Sequence, residues 1–119
     1  MGVDVLVVDD NDDLLELAVR ALKRAGFSIA TARNYEELEK AIAVPVRLIL
    51  MDVQMPELFG DDVAGILRNV RGVTAKIVLY SGLDPEELAR RAGTANLDGW
   101  ISKTAGIGHL VDEVRRYLA

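Results

Sequence analysis

The chain has 119 residues, 50% hydrophobic and 28% charged, with no cysteine; one domain over residues 1–119 with an ordinary apolar core is expected, and a disulfide framework is excluded. Nineteen acidic residues against fourteen basic ones leave a net charge of -5, which argues against direct nucleic-acid binding, because that affinity rests on neutralising phosphates. The apolar runs are strand-sized and no basic stretch leads into a long apolar one, so neither a membrane span nor a signal peptide is expected, and the protein reads as soluble and cytoplasmic.

The first apolar run, VDVLVVD at residues 3–9, reads as a strand that ends in acids. A helix follows: Asn11, Asp12 and Asp13 form its cap and first turn, where acids suit the positive dipole end. Leu14, Leu17, Ala18, Ala21, Leu22 and Ala25 mark one of its faces, and Gly26 stops it. SIATA at 28–32 is a second strand. NYEE then opens a second helix, with Asn34 as cap, Glu37 at the reciprocal position, and Tyr35, Leu38, Ala41 and Ile42 on its face. RLILMD at 47–52 is a third strand, apolar at nearly every position, and Val63, Ile66, Leu67 and Val70 mark a third helix. KIVLYS at 76–81 is the fourth strand. DPEE starts the fourth helix, with Asp84 as cap, Pro85 at the first helical position, and Leu88 and Ala92 facing inward. GWIS at 99–102 is the fifth strand, and Ile107, Leu110, Val111, Val114 and Leu118 mark the last helix.

Strands that are apolar on every position belong to a sheet covered on both faces, which favours parallel pairing. Five strands each followed by a helix imply a doubly wound, flavodoxin-like α/β sandwich of strand order 2-1-3-4-5 with five helices. In that order the ligand crevice lies outside the carboxyl ends of the first and third strands. Asp9 and Asp10 end the first strand, Asp52 the third and Ser81 the fourth, while Lys103 follows the fifth, so every polar candidate falls at one edge. Converging carboxylates raise one another's pKa unless a cation sits among them. A few hard oxygen ligands open to solvent suit magnesium. A nucleophilic carboxylate, a divalent cation, a lysine and a hydroxyl are the parts phosphoryl transfer needs.

With these residues in place, the chain resembles the receiver domain of two-component response regulators over essentially its whole length. The matching motifs are the acidic pair Asp9 and Asp10 after VLVV, the segment MDVQMPELFGDD, the hydroxyl in IVLYSG and the lysine in WISK. The resemblance implies that Asp52 accepts phosphate from a histidine kinase or phosphotransfer protein, and that the domain catalyses this transfer and its own dephosphorylation. It implies that Asp10 and Asp52 ligate magnesium directly, Asp9 through water, and Gln54 by its backbone carbonyl. Lys103 and Ser81 would grip the phosphoryl oxygens. Kinases would dock on the first helix. Output domains, downstream proteins or a phosphorylation-dependent homodimer would use the surface of the fourth helix, fifth strand and fifth helix.

Three positions depart from the family's pattern. Thr104 follows the lysine where proline is usual; a cis bond before a non-proline residue costs about 2.5 to 4 kcal/mol, so the loop after Lys103 is expected to differ. Trp100 stands where the family's switch aromatic is tyrosine or phenylalanine, and it reads equally as a switch partner of Ser81 or as an anchored aromatic. Leu83, two residues past Ser81, cannot position a water by hydrogen bonding. His109 reads as solvated, Met51 and Met55 as packing residues, and Gly60 as a bend before the third helix. The competing functions are a pseudo-receiver that docks partners without phosphorylation and a magnesium phosphatase, the latter opposed by Gln54 where such enzymes carry a second acid. A nucleotide-binding module lacks its glycine-rich phosphate loop after the first strand.

Overall fold

Apolar side chains on both faces of the central strands require cover from two layers of helix, and the computed structural model has this arrangement. It describes residues 2–55, 60–69 and 72–119. Among them the order is β1 (Val3–Val8), α1 (Asp12–Arg24), β2 (Ile29–Ala32), α2 (Tyr35–Ala41), β3 (Val46–Met51), α3 (Gly60–Asn69), β4 (Lys76–Ser81), α4 (Pro85–Thr94), β5 (Gly99–Ser102) and α5 (Ile107–Leu118). The strands form one parallel sheet of order β2-β1-β3-β4-β5, the expected doubly wound topology. Val70 and Pro56, counted above in the third helix and the MDVQMPELFGDD motif, lie outside the described residues, and the bend expected at Gly60 adjoins residues 56–59, which also lie outside them. No helix among the described residues is long and apolar enough to cross a membrane.

Strand alternation divides the core. Leu6, Val8, Ile49, Met51, Ile77 and Leu79 turn to the side covered by Leu38 of α2, Val63 and Leu67 of α3, and Leu88 and Ala92 of α4. Val5, Val7, Leu48, Leu50, Val78 and Tyr80 turn to the side covered by Leu15, Ala18 and Leu22 of α1 and by Leu110 and Val114 of α5. Met51 and Met55 pack in the first of these layers, and His109 is exposed.

The helix ends follow local chemistry. Asn11 Oδ1 accepts from the Leu14 amide at 3.2 Å, capping α1. Asn34 Oδ1 accepts from Glu37 N at 2.8 Å, capping α2, and Glu37 Oε1 reaches back to the amide of Arg33, one residue before the cap, at 2.9 Å, in place of the expected reciprocal bond to Asn34. Asp84 stands at the N-cap of α4, but its side chain makes no capping hydrogen bond; Pro85 removes one amide that would need it.

Two helix faces differ from the periodic reading. In α1 the buried stripe is Leu15, Ala18 and Leu22, while Leu14 and Leu17 are 41% and 50% exposed. In α3 the buried residues are Val63, Ala64 and Leu67, and Ile66 is exposed. Both helices carry overlapping stripes at three- and four-residue spacing, and only docking on the sheet selects between them. Leu22→Ala should therefore cost about 2–5 kcal/mol by opening a cavity, whereas Leu17→Ala should stay within about 0.5 kcal/mol of the parent. Urea unfolding of the two variants checks this; equal losses would mean that α1 is rotated.

Candidate functional site

The register of the sheet assembles the site. Val8 pairs with Met51, so Asp9 and Asp52 leave β1 and β3 side by side; the Asp52 amide donates to Val8 O at 2.9 Å, and the Asp9 amide to Ala32 O at 3.0 Å. Leu79 pairs with Met51 and Ser81 with Ser102, which brings the ends of β4 and β5 to the same edge. Asp9 and Asp52 are 2% and 5% exposed, while Asp10 is open to solvent. One carboxylate oxygen from each of Asp9, Asp10 and Asp52 lies within 4.8 Å of the others.

Lys103 crosses to this cluster from the far side of the sheet. Its Nζ donates to Asp9 Oδ2 at 2.5 Å and stands 3.8 Å from Asp52 Oδ1, so the closer partner is Asp9. The same Nζ lies 5.3 Å from the centroid of the Tyr80 ring. Tyr80 is a contact that a linear reading does not mark. The signal for it is the alternation that sets Tyr80 opposite Ser81 and, by extension of the Met51–Leu79 pairing, level with Asp52.

The loops at this edge are held by backbone donors. Asn11 N donates to Asp9 Oδ1 at 3.0 Å and Gln54 N to Asp52 Oδ1 at 3.2 Å. The Ser81 hydroxyl reaches Gln54 Oε1 at 3.4 Å and accepts from Leu83 N at the same distance. After β5 the chain takes a 3-10 turn over Lys103–Ala105, in which Ser102 Oγ accepts from Thr104 N at 3.2 Å and lies 2.7 Å from Thr104 Oγ1. The described residues contain no cis peptide bond, so Lys103–Thr104 is trans. Trp100 is half-buried and packs in the layer beneath α4, the side to which Ser81 also points and away from Lys103.

Burial, first of all, pushes the Asp52 carboxyl above the ordinary carboxylate range, and the Asp9 charge adds to it; Lys103 and the Gln54 amide pull the other way without cancelling the rise. Burial and the Asp9 charge also push the Tyr80 phenol up to about 12. One lysine thus faces two buried carboxylates, leaving an excess of negative charge. The candidate ligands converging here are carboxylate oxygens, two of the three carboxylates being buried, and a small divalent cation such as magnesium fits that set.

The raised Asp52 pKa has a signed consequence. A carboxyl that binds its proton more tightly when folded favours folding fully below its unfolded pKa, and this contribution is lost as pH rises through the folded value. In metal-free buffer at neutral pH, Asp52→Asn should therefore melt higher than the parent. The gap should narrow as pH falls into the carboxylate range, which paired thermal melts with a chelator will show; a lower-melting variant would contradict the crowding.

Comparisons with known proteins bear on the same residues. The family model described as the response regulator receiver domain matches residues 5–115. The alkaline phosphatase synthesis transcriptional regulatory protein PhoP of Bacillus subtilis is 39% identical over 87 residues, 72% of this chain and 36% of that protein. The signal receiver domain of a response regulator from Bermanella marisrubri superposes with a TM-score of 0.82 at 26% identity, covering 100% of both chains. The chemotaxis response regulator CheY4 of Vibrio cholerae superposes with a TM-score of 0.85 over 98% of this chain and 99% of its own, and at 24% identity it speaks to the fold alone. The chain spans no more than about half the length of the curated relatives it matches.

Proposed function

Because this chain belongs to the response regulator receiver domain family, whose model covers residues 5–115, we propose that it is a cytoplasmic, phosphorylation-dependent signalling switch forming one receiver domain over residues 1–119. The observation that carries the proposal is the set of three carboxylates within 4.8 Å of one another, faced by the ammonium of Lys103. Asp52 is the phosphoacceptor: one of its carboxylate oxygens attacks the phosphorus of a phosphohistidine on a histidine kinase or phosphotransfer protein. The phosphorus–nitrogen bond breaks, and its electron pair leaves with the imidazole, which takes up a proton. Lys103 and Ser81 receive the phosphoryl oxygens, Lys103 by shifting from Asp9 toward Asp52. Asp10 and Asp52 would hold magnesium directly, Asp9 through water and Gln54 by its carbonyl. When bound, the ion would neutralise the crowded carboxylates and the incoming phosphoryl charge. Hydrolysis of the same acyl phosphate resets the switch, and Leu83 leaves the attacking water without a side-chain hydrogen bond at that position.

Phosphorylation adds about -1.5 to -2 charges and three acceptor oxygens at Asp52. Drawing the Ser81 hydroxyl toward them would break its contact with Gln54 and free space on the side of the sheet that Trp100 shares, passing the change to the α4, β5 and α5 surface. An output domain, a downstream protein or a second phosphorylated copy would read it there. Beryllofluoride with magnesium should accordingly change the emission of Trp100 and its quenching by acrylamide, and Asp52→Asn should remove both responses. Unchanged quenching with the mimic demonstrably bound would make Trp100 a static anchor. A chain that gains no phosphoryl mass from magnesium and acetyl phosphate would instead be a pseudo-receiver, docking partners without phosphorylation.

A further inference from the structure

Lys103 has a long stem and must hold its ammonium at one place on the edge of the sheet, yet its closest partner, Asp9, is an acid that the phosphoacceptor reading also gives to a metal. Tyr80 is the other group against it. The ring is buried in the layer formed with α1 and α5, at the last position but one of β4, where Tyr80 pairs with Ile101 of β5. Nζ of Lys103 lies 5.3 Å from the ring centroid, within the range of a cation–π contact, while it stands 2.5 Å from Asp9 Oδ2 and 3.8 Å from Asp52 Oδ1. Among these three partners the ring alone is uncharged, so it keeps its hold on the ammonium whichever anion the ammonium engages.

We propose that Tyr80 is a positioning residue for phosphoryl transfer, its ring seating the Lys103 ammonium in the gap between Asp9 and Asp52 where the incoming phosphoryl oxygens arrive. This rests on the phosphoacceptor reading of Asp52. The ring acts through Lys103 and touches no reacting atom. Its work is to limit the orientations of a flexible stem, so its loss lowers the maximal rate of transfer and leaves the concentration of donor needed for half-saturation unchanged. The phenol oxygen contributes nothing to this role, which separates the ring from the hydroxyl.

The test compares Tyr80→Phe, which keeps the ring, with Tyr80→Leu, which removes it, in the full chain with magnesium and acetyl phosphate. Asp52 attacks the donor's phosphorus, and acetate leaves with the electron pair. The leucine variant should phosphorylate roughly twofold to thirtyfold more slowly at saturating donor, the span of cation–π strengths, and the phenylalanine variant within about twofold of the parent. In metal-free protein the ring-current shift of the Lys103 methylene protons next to Nζ should persist in the phenylalanine variant and vanish in the leucine one. Should Tyr80→Leu fail to fold, Tyr80→Met carries the same comparison. A folded ringless variant as fast as the parent overturns the inference, as does a phenylalanine variant slowed as much as the leucine one. A parent chain that takes no phosphate at all overturns the phosphoacceptor reading itself, and this inference with it.

Discussion

Asp52→Asn should take up no phosphoryl group from acetyl phosphate and magnesium, while the parent should gain one. This is the largest effect expected of any single substitution in the chain. The amide keeps the shape of the carboxylate but lacks its nucleophilic charge, and it stands beside Lys103 and the Gln54 amide, which remain in place. Asp9 should not substitute for it, because both Asp9 oxygens are held at hydrogen-bond distance, Oδ2 by Lys103 and Oδ1 by the Asn11 amide, whereas among the described residues only Oδ1 of Asp52 has such a partner. Asp10, exposed to solvent, lacks the lysine contact. Intact mass after incubation reads the outcome directly. A phosphate adduct that survives in Asp52→Asn would assign the acceptor elsewhere. The same variant should melt higher in metal-free buffer, and a melt run alongside separates loss of phosphate uptake from unfolding.

Lys103→Met has the opposite sign on stability. Methionine fills much of the space of the lysine stem but leaves Asp9 and Asp52, both nearly fully buried, without their common cation. Breaking a buried pair by removing one partner costs about 3–5 kcal/mol, because the charge left behind is uncompensated. Magnesium should restore part of that loss, as any ligand of the folded state does. Phosphorylation should slow by roughly 10²- to 10³-fold, the typical cost of deleting a fixed donor aimed at developing charge. Chemical denaturation with and without magnesium, alongside the rate of mass gain, measures all three. An unchanged denaturation midpoint in chelator would show that the lysine does not carry the charge balance of the site. Asp52→Asn up and Lys103→Met down together diagnose one cation among too many anions.

The fold was legible in the sequence because its signals are local. Continuous apolar runs at 47–52 and 76–81 can be satisfied only by a sheet covered on both faces, and Asn34 with Glu37, or Pro85 after Asp84, mark helix starts by chemistry within one turn. The acids at the ends of β1 and β3 were legible for a related reason: once the strands are parallel, their carboxyl ends share an edge, and Asp9 and Asp52 must meet there.

Other features were decided only when the chain was packed. Two apolar stripes run along α1 at helical spacing, and the stripe of Leu15, Ala18 and Leu22 is buried because of how the helix lies on Val5, Val7 and Leu50, which no one-dimensional period encodes. The turn over Lys103–Ala105 brings the hydroxyls of Ser102 and Thr104 within 2.7 Å of each other. Lys103 meets Asp9 across 94 residues and leans on the ring of Tyr80, because the register of four strands carries these residues to one corner of the sheet. The sequence by itself determined which acids could meet at the carboxyl edge of the sheet, since strand ends and caps are written within a few residues. The tertiary structure alone decided which of them touch, because contact depends on strand register and helix rotation, and these minimise the free energy of the whole core rather than of any one segment.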